Sequence, residues 1–230
     1  MSFYLNSKQT LKKDMNIQLL CVLILFNSCN LALSNREADE HTIELNDHSI
    51  PYYSFTPDIV EPVRLSNYEI ESAYQLDSLT VVTAYSDGDL ETAEEPINWG
   101  DRLMVLHDKK VIYESVPVGD VYLYEPHFYK NTLNNTVIIV CQLGYEYYFG
   151  GEVFKLENGT IERIGMIDIE NSDPEIGLTE ILRIKAADDV FLFSFEAESL
   201  IYKPSTETKL IENIDVHYMY KDHSLILKGL

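Results

Sequence analysis

Basic residues are scarce: 17 lysines and arginines stand against 38 aspartates and glutamates in 230 residues, a formal net charge of −21. A surface that binds nucleic acid needs clustered Lys and Arg to displace counterions from phosphate. No basic cluster follows the first 13 residues, so nucleic acid is excluded as a partner. Direct adsorption to anionic lipid is disfavoured for the same reason. Enzyme signatures are missing as well: there is no G-x-S-x-G, H-E-x-x-H, G-x-x-x-x-G-K-[ST] or C-x-x-C. From Ser78 onward no segment carries a convincing helical period, and the apolar run near the N-terminus falls short of the roughly 20 residues that a membrane-spanning helix requires. What remains is a chain that is 46% hydrophobic, a composition that suits an ordered globular protein and not a disordered one.

The first thirty residues have the layout of an export signal. Lys8, Lys12 and Lys13 form a basic region, Ile17 to Phe26 an apolar core interrupted by Gln18, and small and polar residues follow. Leu25-Phe26-Asn27-Ser28-Cys29 resembles the lipobox of bacterial lipoproteins, with a small residue directly before a cysteine at the end of the apolar core. Phe26 and Asn27 depart from the Leu and the small residue that this family prefers there. The resemblance implies cleavage before Cys29, lipidation of Cys29, and a protein held to a membrane of the bacterial cell envelope by acyl chains. Ala32-Leu33-Ser34 before Asn35 fits ordinary signal-peptidase cleavage, which would instead give a periplasmic or secreted protein. Either cut removes more basic than acidic residues and leaves a still more acidic chain. Cys21 lies inside the signal, so with Cys29 lipidated Cys141 is left alone and no internal disulfide is expected.

The expected organisation is a signal over 1–28, a flexible acidic tether over 29–50, and one β-rich domain over 51–230. Pro51, Pro57 and Pro62 punctuate the start of that domain, where a short helix near Ser66 to Leu76 is allowed. From Ser78 onward, short β-branched and aromatic runs alternate with turn residues. Asn158-Gly159, between Val153-Phe154-Lys155-Leu156 and Ile161-Glu162-Arg163-Ile164, gives the strongest hairpin signal. Val137 to Val140, followed by Val153 to Leu156 and Arg163-Ile164, is similar to Val190 to Phe193, followed by Leu200 to Lys203 and Leu210-Ile211. Met104 to Ile112 reads as an earlier copy of the same hairpin. A period near 45–50 residues is that of a propeller blade. The expected fold is therefore all-β, an antiparallel meander of blade-like hairpin units, with a β-sandwich as the alternative.

Aromatic residues carry the most distinctive chemistry, with 16 Tyr and 9 Phe. The ligand-binding candidates are Tyr122, Tyr124 and His127 on one strand, and Tyr145, Tyr147, Tyr148 and Phe149 before Gly150-Gly151. Exposed rings beside acidic groups suit stacking on sugar faces or on cationic side chains, and the same rings can equally fill a core. Two acidic stretches, Ser86 to Glu95 and Asp168 to Glu175, read as solvated turns without the spacing of an EF-hand. The six histidines are dispersed, so no metal site is expected, and Cys141 lies in the most apolar strand. No cofactor is implied and no catalytic residue can be located. The functional expectation is a non-enzymatic binding protein, of inhibitor or immunity type, for a cationic protein or a glycan. A glycan-acting hydrolase and a structural module of an envelope assembly are the alternatives.

Overall fold

The computed structural model describes residues 49–88, 98–119, 121–203, 208–212 and 215–230. The signal, Cys29, all but the last two residues of the tether, and most of the first acidic stretch lie outside the described residues. Ile50, the expected end of the tether, is the first residue of strand β1 (Ile50–Phe55).

The described chain is antiparallel β-structure with one short helix, and its bulk is three successive meanders. The first runs through β2 (Asp58–Ile59), β3 (Glu69–Leu76), β4 (Leu79–Ser86), β5 (Gly100–His107) and β6 (Lys110–Glu114), which form a five-stranded sheet in chain order. The second is β7 (Leu123–Lys130), β8 (Val137–Gly144), β9 (Tyr148–Glu157) and β10 (Thr160–Ile167). After β11 (Ile169–Asn171) and helix α1 (Leu178–Ile181), the third comprises β12 (Leu182–Ala187), β13 (Val190–Phe195), β16 (His217–Lys221) and β17 (Ser224–Lys228). Between β13 and β16, β14 (Leu200–Tyr202) and β15 (Lys209–Ile211) leave the meander and join β11 in a three-stranded sheet.

Turn chemistry sets the registers. Asp108-Lys109, Asn158-Gly159 and Asp222-His223 each close a two-residue hairpin with positive φ at both positions. Turns of this hand match the twist of the strands they join, and Asn and Asp tolerate the left-handed region better than other side chains do.

β1 joins the second meander to the third. Its first half pairs with β12 (Tyr52 opposite Ile184) and its second half with β7 (Phe55 opposite Phe128), giving a nine-stranded sheet. That sheet curls into a nearly closed barrel in which the edges β10 and β17 lie side by side. A Cβ on Gly165 of β10 would stand 3.0 Å from Leu225 Cδ2 of β17. Ile138, Val140, Val153, Ile184, Phe191 and Phe193 fill the inside. On the outside, Phe128, Ile139, Cys141 and Phe154 pack against Leu79, Val81, Leu103 and Val105 of the five-stranded sheet. β8 is therefore covered on both faces, which is why Val137-Ile138-Ile139-Val140-Cys141 reads as an unbroken apolar run without alternation.

The structure departs from the sequence expectation at two places. Ser66 to Leu76 is not helical, since Glu69–Leu76 is β3, paired with β4. The register shift between Ile70 and Ser72 is a bulge that puts Ile70 and Ala73 on the same apolar face, so their helix-like spacing belongs to a bulged strand. Leu200 to Lys203 does not take the place of Val153 to Leu156 in the repeat, because β16 supplies the third strand of the last meander.

Candidate functional site

The loop from β8 to β9 and the junction of β10 with β11 enclose a cleft of about 710 Å³. Tyr145, Tyr147, Phe149 and Met166 supply its apolar walls, and Glu146, Asp168, Glu170 and Lys203 its charged groups. The residues come together because β10 runs directly into β11 and β14 pairs with β11, with Ile169 opposite Tyr202. Lys203, next along from Tyr202, donates its backbone N–H to the Asp168 carbonyl at 3.2 Å.

Gly150 allows this junction to close. Its φ is +57°, and a Cβ there would lie 2.2 Å from the Ile167 carbonyl oxygen. The close approach that a glycine permits is made at Gly150 by the backbone of β10. Behind the cleft, buried Gln142 donates through Nε2 to the carbonyls of Leu143 and Gly150, and its Oε1 accepts from the Thr179 backbone N–H. These bonds tie β8, β9 and α1 together.

The charged groups are arranged around one cation. Lys203 Nζ lies 2.8 Å from Glu170 Oε1 and 4.5 Å from the centre of the Tyr147 ring, and it donates to the Tyr147 hydroxyl at 3.3 Å. Burial works against the lysine charge, but the contacts with Glu170 and Tyr147 outweigh it and hold the Lys203 pKa above that of an ordinary lysine. Glu170 is only 6% exposed, and its second carboxylate oxygen, Oε2, is buried without a hydrogen-bond partner. Asp168 stands at the exposed rim, where desolvation of its carboxyl raises the pKa above the usual carboxylate range.

The aromatic candidates separate into three groups. Tyr145, Tyr147 and Phe149 line the cleft. Tyr122, 74% exposed, stacks on Tyr145 with ring centres 4.4 Å apart and so extends the aromatic surface at the mouth, while Tyr148 is exposed at the start of β9. Tyr124 and His127 stand apart from the cleft. Tyr124 is buried in the outer core with its hydroxyl donating to Glu152 Oε2 at 2.7 Å, out of a ligand's reach. His127, half-buried on the opposite face of β7, has its pKa lowered by burial against the opposing pull of Glu125 and Glu180.

Asp168, Glu170 and Lys203 were not among the sequence candidates. Asp168 to Glu175 reads as one solvated turn, yet only Ser172 to Glu175 matches that description, while Ile169 and Glu170 are buried in β11. The alternation Asp168-Ile169-Glu170 is the strand signal that was available. Among the described residues, no group of three or more His, Cys, Asp or Glu is placed to hold a metal ion.

No family profile, curated protein or solved structure matches this chain.

Proposed function

We propose that the chain is an exported, lipid-anchored binding protein of the bacterial envelope, non-enzymatic and of inhibitor or immunity type, which engages a cationic protein through the aromatic cleft. The observation that carries this reading is the seat of Lys203. A carboxylate at 2.8 Å and a tyrosine face at 4.5 Å are both groups that attract a cation, and here both are engaged in that role. The net charge of −21 supports it, because a strongly acidic surface accelerates association with a basic partner.

Two measurements test the reading. Intact mass of the full protein from its native membrane fraction should begin at Cys29 with added acyl mass, and Cys29→Ala should release the protein from the membrane. A start at Asn35 without lipid would remove the anchor from the proposal. Partner retention from envelope extract should fall with salt and fall further in Glu170→Gln. Retention that is indifferent to both would remove the cleft.

A second reading, a glycan-acting hydrolase, is favoured by one observation: Asp168 and Glu170 line the same cleft, and such enzymes act through a pair of carboxyl groups. A screen of envelope glycans for product separates the two, since binding without turnover leaves only the first.

A further inference from the structure

We infer that the cleft is a receptor for an arginine side chain of the partner, and that Lys203 is a resident stand-in which the arginine must displace. The inference rests on the reading of the cleft as a cation site and names the group it takes.

The argument starts from what Lys203 leaves undone. An ammonium is a point donor, and here it reaches Oε1 of Glu170 and the Tyr147 hydroxyl, while Glu170 Oε2 has no donor. A carboxylate oxygen buried without a hydrogen bond is costly, and structures rarely keep one without a reason. A guanidinium carries parallel N–H groups on a rigid plane, matches both oxygens of a carboxylate at once, and stacks flat on an aromatic ring. Placed where the Lys203 ammonium now sits, it would keep the contacts with Oε1 and the Tyr147 face and bring a second N–H group to offer the unpartnered Oε2. A lysine from a partner would only reproduce the present arrangement, with the same oxygen unsatisfied.

The surroundings fit an incoming cation. A volume of about 710 Å³ is ample for one such side chain, and Glu146 and Asp168 add acidic groups to its lining. Lys203 can yield its place. Its side chain is about one-third exposed, and its backbone N–H, bonded to the Asp168 carbonyl, holds the residue in place independently of the ammonium.

The test is titration of the full protein with the capped peptides acetyl-Gly-Arg-Gly-amide and acetyl-Gly-Lys-Gly-amide, followed by calorimetry and by the fluorescence of the cleft tyrosines. Lys203→Met removes the charge and keeps the bulk, and it should bind the arginine peptide at least tenfold more tightly than the unsubstituted protein. In the Lys203→Met background the arginine peptide should exceed the lysine peptide by about tenfold, and adding Glu170→Gln should abolish the difference. Unfolding midpoints of all three proteins establish that each is folded. Equal arginine affinity with and without Lys203 would overturn the displacement and leave the cation site standing. Equal affinity for the two peptides would overturn the arginine preference. No binding to folded Lys203→Met would overturn both this inference and the reading beneath it.

Discussion

Tyr220 of β16 donates its phenolic hydrogen to Glu162 Oε1 of β10 at 2.6 Å, across the seam where the two edges of the nine-stranded sheet meet. His223 Nδ1 lies 2.6 Å from the same oxygen, and Lys155 Nζ 3.4 Å from Oε2. Burial alone would raise the Glu162 pKa, but hydrogen bonds from Tyr220, His223 and Lys155 outweigh it and the pKa is lowered. A depressed carboxyl stabilises the fold above its unfolded value of about 4.3, and the contribution disappears as pH falls through the lower folded value. Thermal unfolding between pH 2 and 7 should show Glu162→Gln less stable than the parent at neutral pH, with the gap closing at the acid end. A gap that is constant with pH would remove Glu162 from the seam's acid response.

Asp101 behaves in the opposite sense. Burial first, and then the Glu71 carboxylate beside it, raise its pKa to about 6, and its Oδ1 has no hydrogen-bond partner. A carboxyl raised in the folded state favours folding while protonated, so its benefit is complete below the unfolded value of about 3.9 and is lost as pH rises through 6. Asp101→Asn should therefore gain on the order of 1–3 kcal/mol at pH 7.5 and nothing at pH 3.5. Denaturant midpoints at the two pH values measure it.

Among the described residues, the hydroxyl of Tyr124 and Arg163 Nε, the latter at 2.6 Å, donate to Glu152, which is 1% exposed. Tyr124→Phe leaves a buried carboxylate oxygen unsatisfied and should cost about 1.5–3 kcal/mol, the range for a hydrogen bond to a charged group. Urea unfolding should show the loss with arginine-peptide binding unchanged, because the residue lies in the outer core and not in the cleft.

Gly150→Ala places a methyl group 2.2 Å from the Ile167 carbonyl on a backbone with φ of +57°. Strain and overpacking together should cost about 2–4 kcal/mol. Since the junction it disturbs carries Asp168 and Glu170, binding to the cleft should weaken as well. Stability loss with unaltered binding would separate the junction from the site.

The strands, the hairpin at Asn158-Gly159 and the doubly covered β8 were legible because each depends on a local pattern of apolar, β-branched and turn residues. The span Glu69–Leu76 misled because a bulge restores by geometry what looks like a change of period, and a period count cannot distinguish Ile70 and Ala73 on a bulged strand from the same pair on a helix. Half of the cleft was legible in the same way, since Tyr145, Tyr147 and Phe149 announce themselves by density. Its charged half depends on pairing between segments more than 30 residues apart: Glu170 meets Lys203 only because β11 pairs with β14. No local pattern encodes that distance. Helix α1 has four residues, too few to display a period at all.

The double pairing of β1 bears on the order in which the chain can settle. Of the described strands it is the first in sequence, yet its partners are Phe128–Lys130 and Ile184–Ala186. A chain crossing a membrane from its N-terminal end would deliver β1 long before either partner and leave it unsatisfied until the last meander has emerged. Contacts of such long sequence separation slow folding and prolong the exposure of unpaired strand edges. The barrel can therefore close only once the chain is available through β12, whatever the order in which its earlier strands pair.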